Sequence, residues 1–219
     1  KLLDVLHMTH VFEKNLNEEV IKGRVNYLKK YNEKVYHDQR KQFIYAITLF
    51  TLFVENVSLF SQFYVILHFN RNRAVLKDTA QQVAYTRNEE MLHSQVGIKL
   101  INVLREEYPE LFDEELEARI RHECMESIKA ESNVVDWIMG DYAVDGLDAD
   151  ILKAFIRQRM KDSLQQIGFD SSHIDVDQQK LDKTFWFEET MKGATMTDFF
   201  LKTPVEYSKG QAVDADELF

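Results

Sequence analysis

The chain has 219 residues, 45% of them hydrophobic and 12% aromatic, enough to bury a sizeable core as one large domain or part of one. Its formal net charge of −10 argues against non-specific binding to DNA or RNA, and the acidity reads as solubility spread along helices. A single cysteine, Cys124, excludes an intramolecular disulfide and fits a reducing, cytoplasmic setting; it is expected to be a small core residue rather than a nucleophile.

With seven glycines and two prolines, few positions break a helix. Residues 2–13 read as the end of one. Leu2 to Leu6 already looks like helix interior with no cap before it, so a processed, split or truncated product is expected, an arbitrary boundary being the plain alternative. Asn15 or Asn17 is expected to cap the next helix, with Val20, Val25 and Leu28 on its apolar face. Lys34 to Arg40 is polar and reads as a turn. From about 40 to 69 runs a long helix, apolar on most sides, as suits the centre of a bundle. Its apolar run, Gln42 to Asn70, is long enough to span a membrane. Glu55, Asn56, Ser58, Ser61 and Gln62 near its middle would be costly in lipid, so a buried helix of a soluble bundle is the better reading. Asn70 to Arg73 is expected to break it.

A second long helix follows from about 75 to 107, and Pro109 marks its exit. Asp113, Glu114 and Glu115 suit the N-terminal dipole of a helix over about 113–139. Gly140 and Gly146 bracket a loop. Asp148 or Asp150 opens a helix ending near Gly168, residues 169–176 are loop, and 178–192 form a last short helix. Beyond Gly193 the helical period is lost: 194–219 contain Pro204 and Gly210 and read as a flexible tail. The last residues, Asp214 to Phe219, read either as a frayed terminus or as a peptide that docks in a partner's groove.

The candidate chemistry lies on the two long helices. Glu55 is the only formally charged residue between Lys41 and Arg71. Burying a carboxylate without a partner costs several kcal/mol or forces it to hold a proton, and a metal ion is a good partner; a protonated Glu bonded to Ser or Asn is the alternative. On the next helix Glu90 and His93, three apart, share a face and can reach one ion. The spacing alone is weak, since Asp4/His7 and Asp170/His173 repeat it. Two carboxylates and one imidazole suit iron or manganese better than copper or a structural zinc. A buried Glu on one helix and Glu-x-x-His on the next make half of the four-helix dimetal pattern.

With these residues in view, the chain resembles the C-terminal two-thirds of a class I ribonucleotide reductase small subunit, the radical-generating component. Glu55 stands where that family has its lone glutamate ligand, in a segment ending Phe63-Tyr64-Val65, and Arg87-Asn88-Glu89-Glu90-Met91-Leu92-His93 resembles the family's D-E-x-x-H ligand helix. Trp137 through Gly146-Leu147 to Asp150-Ile151-Leu152, Arg159-Met160 with Ile167-Gly168-Phe169, and Thr197-Asp198-Phe199-Phe200 with Val205 to Gly210 resemble further family stretches in the right order. The acidic-aromatic terminus Asp214-Ala215-Asp216 to Phe219 is similar to the family peptide that docks on the large subunit.

The resemblance implies an all-α, ferritin-like helical bundle over 1–192, partial and completed by a missing N-terminal piece, with a flexible docking tail over 193–219. It implies a dinuclear metal centre (Fe2, with Mn2 or Mn/Fe as alternatives) held by Glu55, Glu90 and His93. Glu89, in place of the usual Asp, and Tyr207 are implied in radical transfer, and Asp214, Asp216, Leu218 and Phe219 in partner binding. Leu201 replaces a Glu of the family, and Glu206 is a substitute proton acceptor beside Tyr207. By spacing, the first carboxylate ligand, the first Glu-x-x-His and the radical tyrosine precede Lys1, so Asp4, His7 and His10 are not their replacements. The implied partners are that N-terminal piece, the large subunit and a second assembled small subunit, with no nucleic acid and no membrane. The implied activity is radical generation for reduction of ribonucleotides to deoxyribonucleotides. Two other readings stay open: another ferritin-like dimetal oxidase or oxygenase, and a metal-free helical scaffold.

Overall fold

The computed structural model describes residues 2–5, 7–140 and 144–192, and all the regular elements among them are helical. The N-terminal stretch is not one run. Helices α1 (Leu2–Val5) and α2 (Thr9–Leu16) are separated at His7, whose φ of 55° lies in the left-handed region that ends helices. Helix α3 (Glu19–Leu28) is capped by neither Asn15 nor Asn17. Glu18 takes the cap position without a side-chain bond, and the Asn17 amide donates backward to the Glu13 carbonyl at 3.1 Å. Val25 is exposed, and Tyr27 is the buried residue of this helix.

The central rod is α4 (Gln39–Arg73), whose sequence contains no glycine or proline. The Asp38 carboxylate caps it, accepting from the Arg40 amide at 2.8 Å. Its middle, Leu49–Ser58, is π-helical. The expected break at Asn70 to Arg73 comes later, because those residues are compatible with helix and the reversal needs left-handed backbone. Ala74 (φ 54°) and Leu76 (φ 57°) supply it, and the Asn70 amide braces the turn by donating to the Val75 carbonyl. Helix α5 (Lys77–Glu107) returns alongside and ends in a 3-10 turn at Pro109–Leu111.

Helix α6 (Glu114–Met139) starts at Asp113, whose side chain accepts from the Leu116 amide at 2.9 Å. Helix α7 (Ala149–Gln166) is capped by Asp148, not Asp150, through the Ile151 amide at 2.8 Å. The expected helix over 178–192 is divided into α8 (Gln178–Leu181), a 3-10 turn at Asp182–Thr184 and α9 (Phe185–Lys192).

Helix α4 packs against α5, α6 and α7 and carries much of the core, including Tyr45, Leu52, Phe53, Phe60 and Tyr64. It is long and apolar enough to cross a membrane, yet 61% of its most apolar stretch is buried inside this protein, as in the core helix of a bundle. The Tyr64 ring packs against Phe155, Trp186 and Phe187, which seats α9, and the Trp186 indole donates to the Tyr64 hydroxyl at 3.1 Å. Cys124 is buried and its thiol pKa is pushed up to about 12 by desolvation, the mark of an inert core thiol. Tyr207, Leu201, Glu206, Asp214, Asp216, Leu218 and Phe219 lie outside the described residues.

Candidate metal centre

Glu55 sits in the π-helical stretch of α4, and Glu90 and His93 face it from α5. One oxygen of each carboxylate and one imidazole nitrogen lie within 4.8 Å of one another, and this is the one group of three or more such side chains among the described residues. The His93 Nδ1 atom is 3.3 Å from Glu90 Oε2 and 3.8 Å from Glu55 Oε1. The i, i+3 spacing places Glu90 and His93 side by side, and the wide π turn presents Glu55 to both; such turns concentrate at functional sites.

The approach of the two helices is set one turn away. Gly97 follows His93 by four residues, and Thr51 precedes Glu55 by four. A Cβ added at Gly97 would fall onto the Thr51 side chain, only 2.8 Å from its Cβ, so the absence of a side chain at 97 lets the ligand-bearing segments come this close.

Burial and then the negative charge of Glu90 raise the Glu55 pKa above the ordinary carboxylate range, while His93 acts in the opposite sense. A cation placed between the two carboxylates would reverse both costs. The donor set, two oxygen ligands and one imidazole, fits iron or manganese. The described residues thus fit a metal, but they supply about half of what two ions need.

The flank of this site is apolar and uncovered. Leu92, Val96, Leu100 and Val103 on α5 are exposed, Val96 to 68%, and so are Phe43 and Phe50 on α4. Val96 and Leu100 follow His93 by three and seven residues and so lie on its side of the helix.

The other sequence-level pairs do not assemble a site. The Asp4 carboxylate accepts from Thr9 at 2.8 Å, and Asp170 accepts from the amide and hydroxyl of Ser172. Glu89 is exposed and is not part of the three-residue group. Sequence reasoning missed the residues behind Glu55. Arg159 binds Asn56, and Arg24 binds the Ser58 carbonyl, although the Arg159-Met160 pair stood out in the sequence.

Comparison with known proteins places these observations. The sequence matches the family described as "Ribonucleotide reductase, small chain" over residues 2–190. It is 27% identical over 175 residues to a probable ribonucleoside-diphosphate reductase small subunit of Invertebrate iridescent virus 3, covering 80% of this chain and 45% of that protein. It is 22% identical over 210 residues to a ribonucleoside-diphosphate reductase subunit beta of Halalkalibacterium halodurans, covering 95% of this chain and 59% of that one. The chain therefore spans about half the length of these relatives. The fold is similar to the crystal structure of a putative class I ribonucleotide reductase from Bacillus halodurans, with a TM-score of 0.72, 20% identity, and coverage of 82% of this chain and 64% of that one.

Proposed function

The chain belongs to the ribonucleotide reductase small-chain family, and we propose that it contributes half of a dinuclear metal centre that generates a radical for ribonucleotide reduction. The observation that carries this reading is the convergence of Glu55, Glu90 and His93 at the edge of an uncovered apolar stripe. Helices laid on that stripe would bury Val96 and Leu100 and bring the remaining ligands to the same ions. Those helices come from polypeptide outside the given sequence, as the greater length of the relatives allows.

When bound, the dinuclear centre supplies the one-electron oxidising power, drawn from O₂ or a related oxidant, that makes a protein radical. The chain's own residues do the rest. A bound ion would favour the ionised form of Glu55, opposing the burial and the Glu90 charge that raise its pKa. Glu90 and His93 would hold an ion from a single helical turn. Iron is the leading metal, with manganese or a mixed centre compatible with the same donors. Tyr207 relays the radical toward a cysteine of the large subunit, Glu89 contributes to that relay at the surface of α5, and Asp214, Asp216, Leu218 and Phe219 dock the chain on that partner. The assembled small subunit works as a dimer in the cytoplasm.

The test is reconstitution. The assembled small subunit should bind two metal ions per unit and support reduction of ribonucleoside diphosphates with the large subunit. Removing residues 213–219 should abolish partner binding and turnover while leaving metal content intact. Turnover that survives this deletion would point instead to a self-contained dimetal oxidase. An assembled unit without metal would point to a scaffold and contradict the proposal.

A further inference from the structure

The backbone carrying Glu55 is gripped by an arginine. From α7, Arg159 Nε donates to the Asn56 carbonyl at 2.7 Å and Nη2 donates to the Asn56 side-chain oxygen at 2.6 Å. The Asn56 amide nitrogen in turn donates to Ser163 Oγ at 2.7 Å, one turn along α7. The guanidinium lies 3.7 Å from the centre of the Phe60 ring, and its remaining nitrogen, Nη1, bonds Glu188 of α9 at 3.1 Å. All three nitrogens are therefore committed, two of them to the residue next to Glu55. A fork on two acceptors of one residue is something the planar guanidinium can make and a lysine ammonium cannot.

The register of this stretch decides where Glu55 points. A π turn holds one more residue than an α turn, and a shift of one residue rotates a helical side chain by about 100°. If the stretch relaxed to α-helix, Glu55 would swing away from α5. Helix α9 is also bound to the other ligand helix. Arg87, three residues before Glu90 and only 3% exposed, donates to the Thr190 hydroxyl at 2.8 Å and the Thr190 carbonyl at 3.3 Å.

We propose that Arg159 is a positioning residue for Glu55: its fork on Asn56 holds the π-helical register that turns the Glu55 carboxylate toward Glu90 and His93, and Glu188 of α9 holds the fork. The consequence for an ion rests on the metal-centre reading, whereas the grip on the π stretch does not.

Two variants of the complete protein separate these roles. Arg159→Lys keeps the charge and loses the fork. Ile156→Val is a mild core change on the same helix, at a residue that takes no part in the network. In metal-free protein, Arg159→Lys should speed amide hydrogen exchange over residues 54–60 by about tenfold or more, and Ile156→Val should not. With the site completed, Arg159→Lys should weaken Mn(II) binding by roughly 10–100-fold, the range for outer residues that orient ligands, and alter the Mn(II) EPR line shape. Ile156→Val should bind like the parent. Unchanged exchange in Arg159→Lys overturns the proposal, and so does faster exchange with parental Mn(II) affinity. A parent protein that binds no Mn(II) contradicts the metal-centre reading instead, and the exchange data still decide whether Arg159 grips the π stretch.

Discussion

On the α6 side of the bundle, Glu123 and Glu131 are fully buried and each is neutralised by this chain's own cations. Glu123 pairs with Lys30 at 3.0 Å and Arg119 at 2.9 Å; Glu131 pairs with Arg24 at 2.8 Å and accepts from the Ser58 hydroxyl at 2.8 Å. On the α5 side, Glu55 and Glu90 converge, and the group within ion-pairing distance of both is His93, itself 59% exposed. Burial alone therefore does not distinguish a ligand. Carboxylates facing a guanidinium tie helices together, whereas carboxylates facing each other leave a negative charge for something else to balance.

The largest expected effect lies on the neutralised side. Arg24→Ala strands the Glu131 charge in the interior and should cost about 3–5 kcal/mol, the range for breaking a buried pair from one side, read as a lower urea midpoint. It would break the comparison if the loss were no more than that of a surface substitution. On the converging side, Glu55→Ala should lower metal affinity in the completed protein by at least ~100-fold, beyond the usual effect of residues that only orient ligands, as measured by competition with a chelator. Gly97→Ala comes next. Its methyl must displace Thr51, so it should destabilise the protein by about 1–3 kcal/mol as overpacked sites do and weaken metal binding by moving α5 off α4, whereas Gly23→Ala, where nothing lies within 4 Å of the added Cβ, should do neither.

The smallest effect carries a sign that sharpens the contrast. Because the Glu55 pKa is raised in the folded state, ionising this group favours the unfolded chain. That penalty is complete above the folded pKa and vanishes as pH falls through the unfolded value of about 4.3. Glu55→Gln should therefore stabilise the metal-free protein at pH 7–8 and lose the advantage toward pH 4. Urea titrations of parent and variant across that range check it, and a variant less stable at neutral pH would mean that Glu55 is already paired.

Several features of this site were legible in the sequence. Glu55 stands out because no other charge lies between Lys41 and Arg71, and Glu90 with His93 because three residues make one face. The helix start near Asp113 was readable from acidic residues that suit an N-terminal dipole, and the next start was narrowed to Asp148 or Asp150; the structure shows Asp113 and Asp148 capping their own helices through side-chain oxygens. What escaped was tertiary. No local pattern announces a π stretch, and the side chains that bond its backbone, Arg159 at Asn56 and Arg24 at Ser58, come from sequence-distant helices. Glu123 and Glu131 escaped because the helix Glu114–Met139 is rich in glutamates and none stands out by contrast. Their spacing with Ile120, Ser127, Ile128 and Val135 at three- and four-residue steps does put them on the inner face. The break after Arg73 was misplaced because it depends on left-handed backbone at Ala74 and Leu76, residues that carry no such signal.

Anomalous X-ray diffraction from the completed, metal-loaded protein tests the central claim most directly. Two peaks about 3.5–4 Å apart, as in other two-metal sites, with Glu55, Glu90 and His93 as ligands, are the predicted result. The absence of any peak there, or an ion bound elsewhere with Glu55 free, would contradict it.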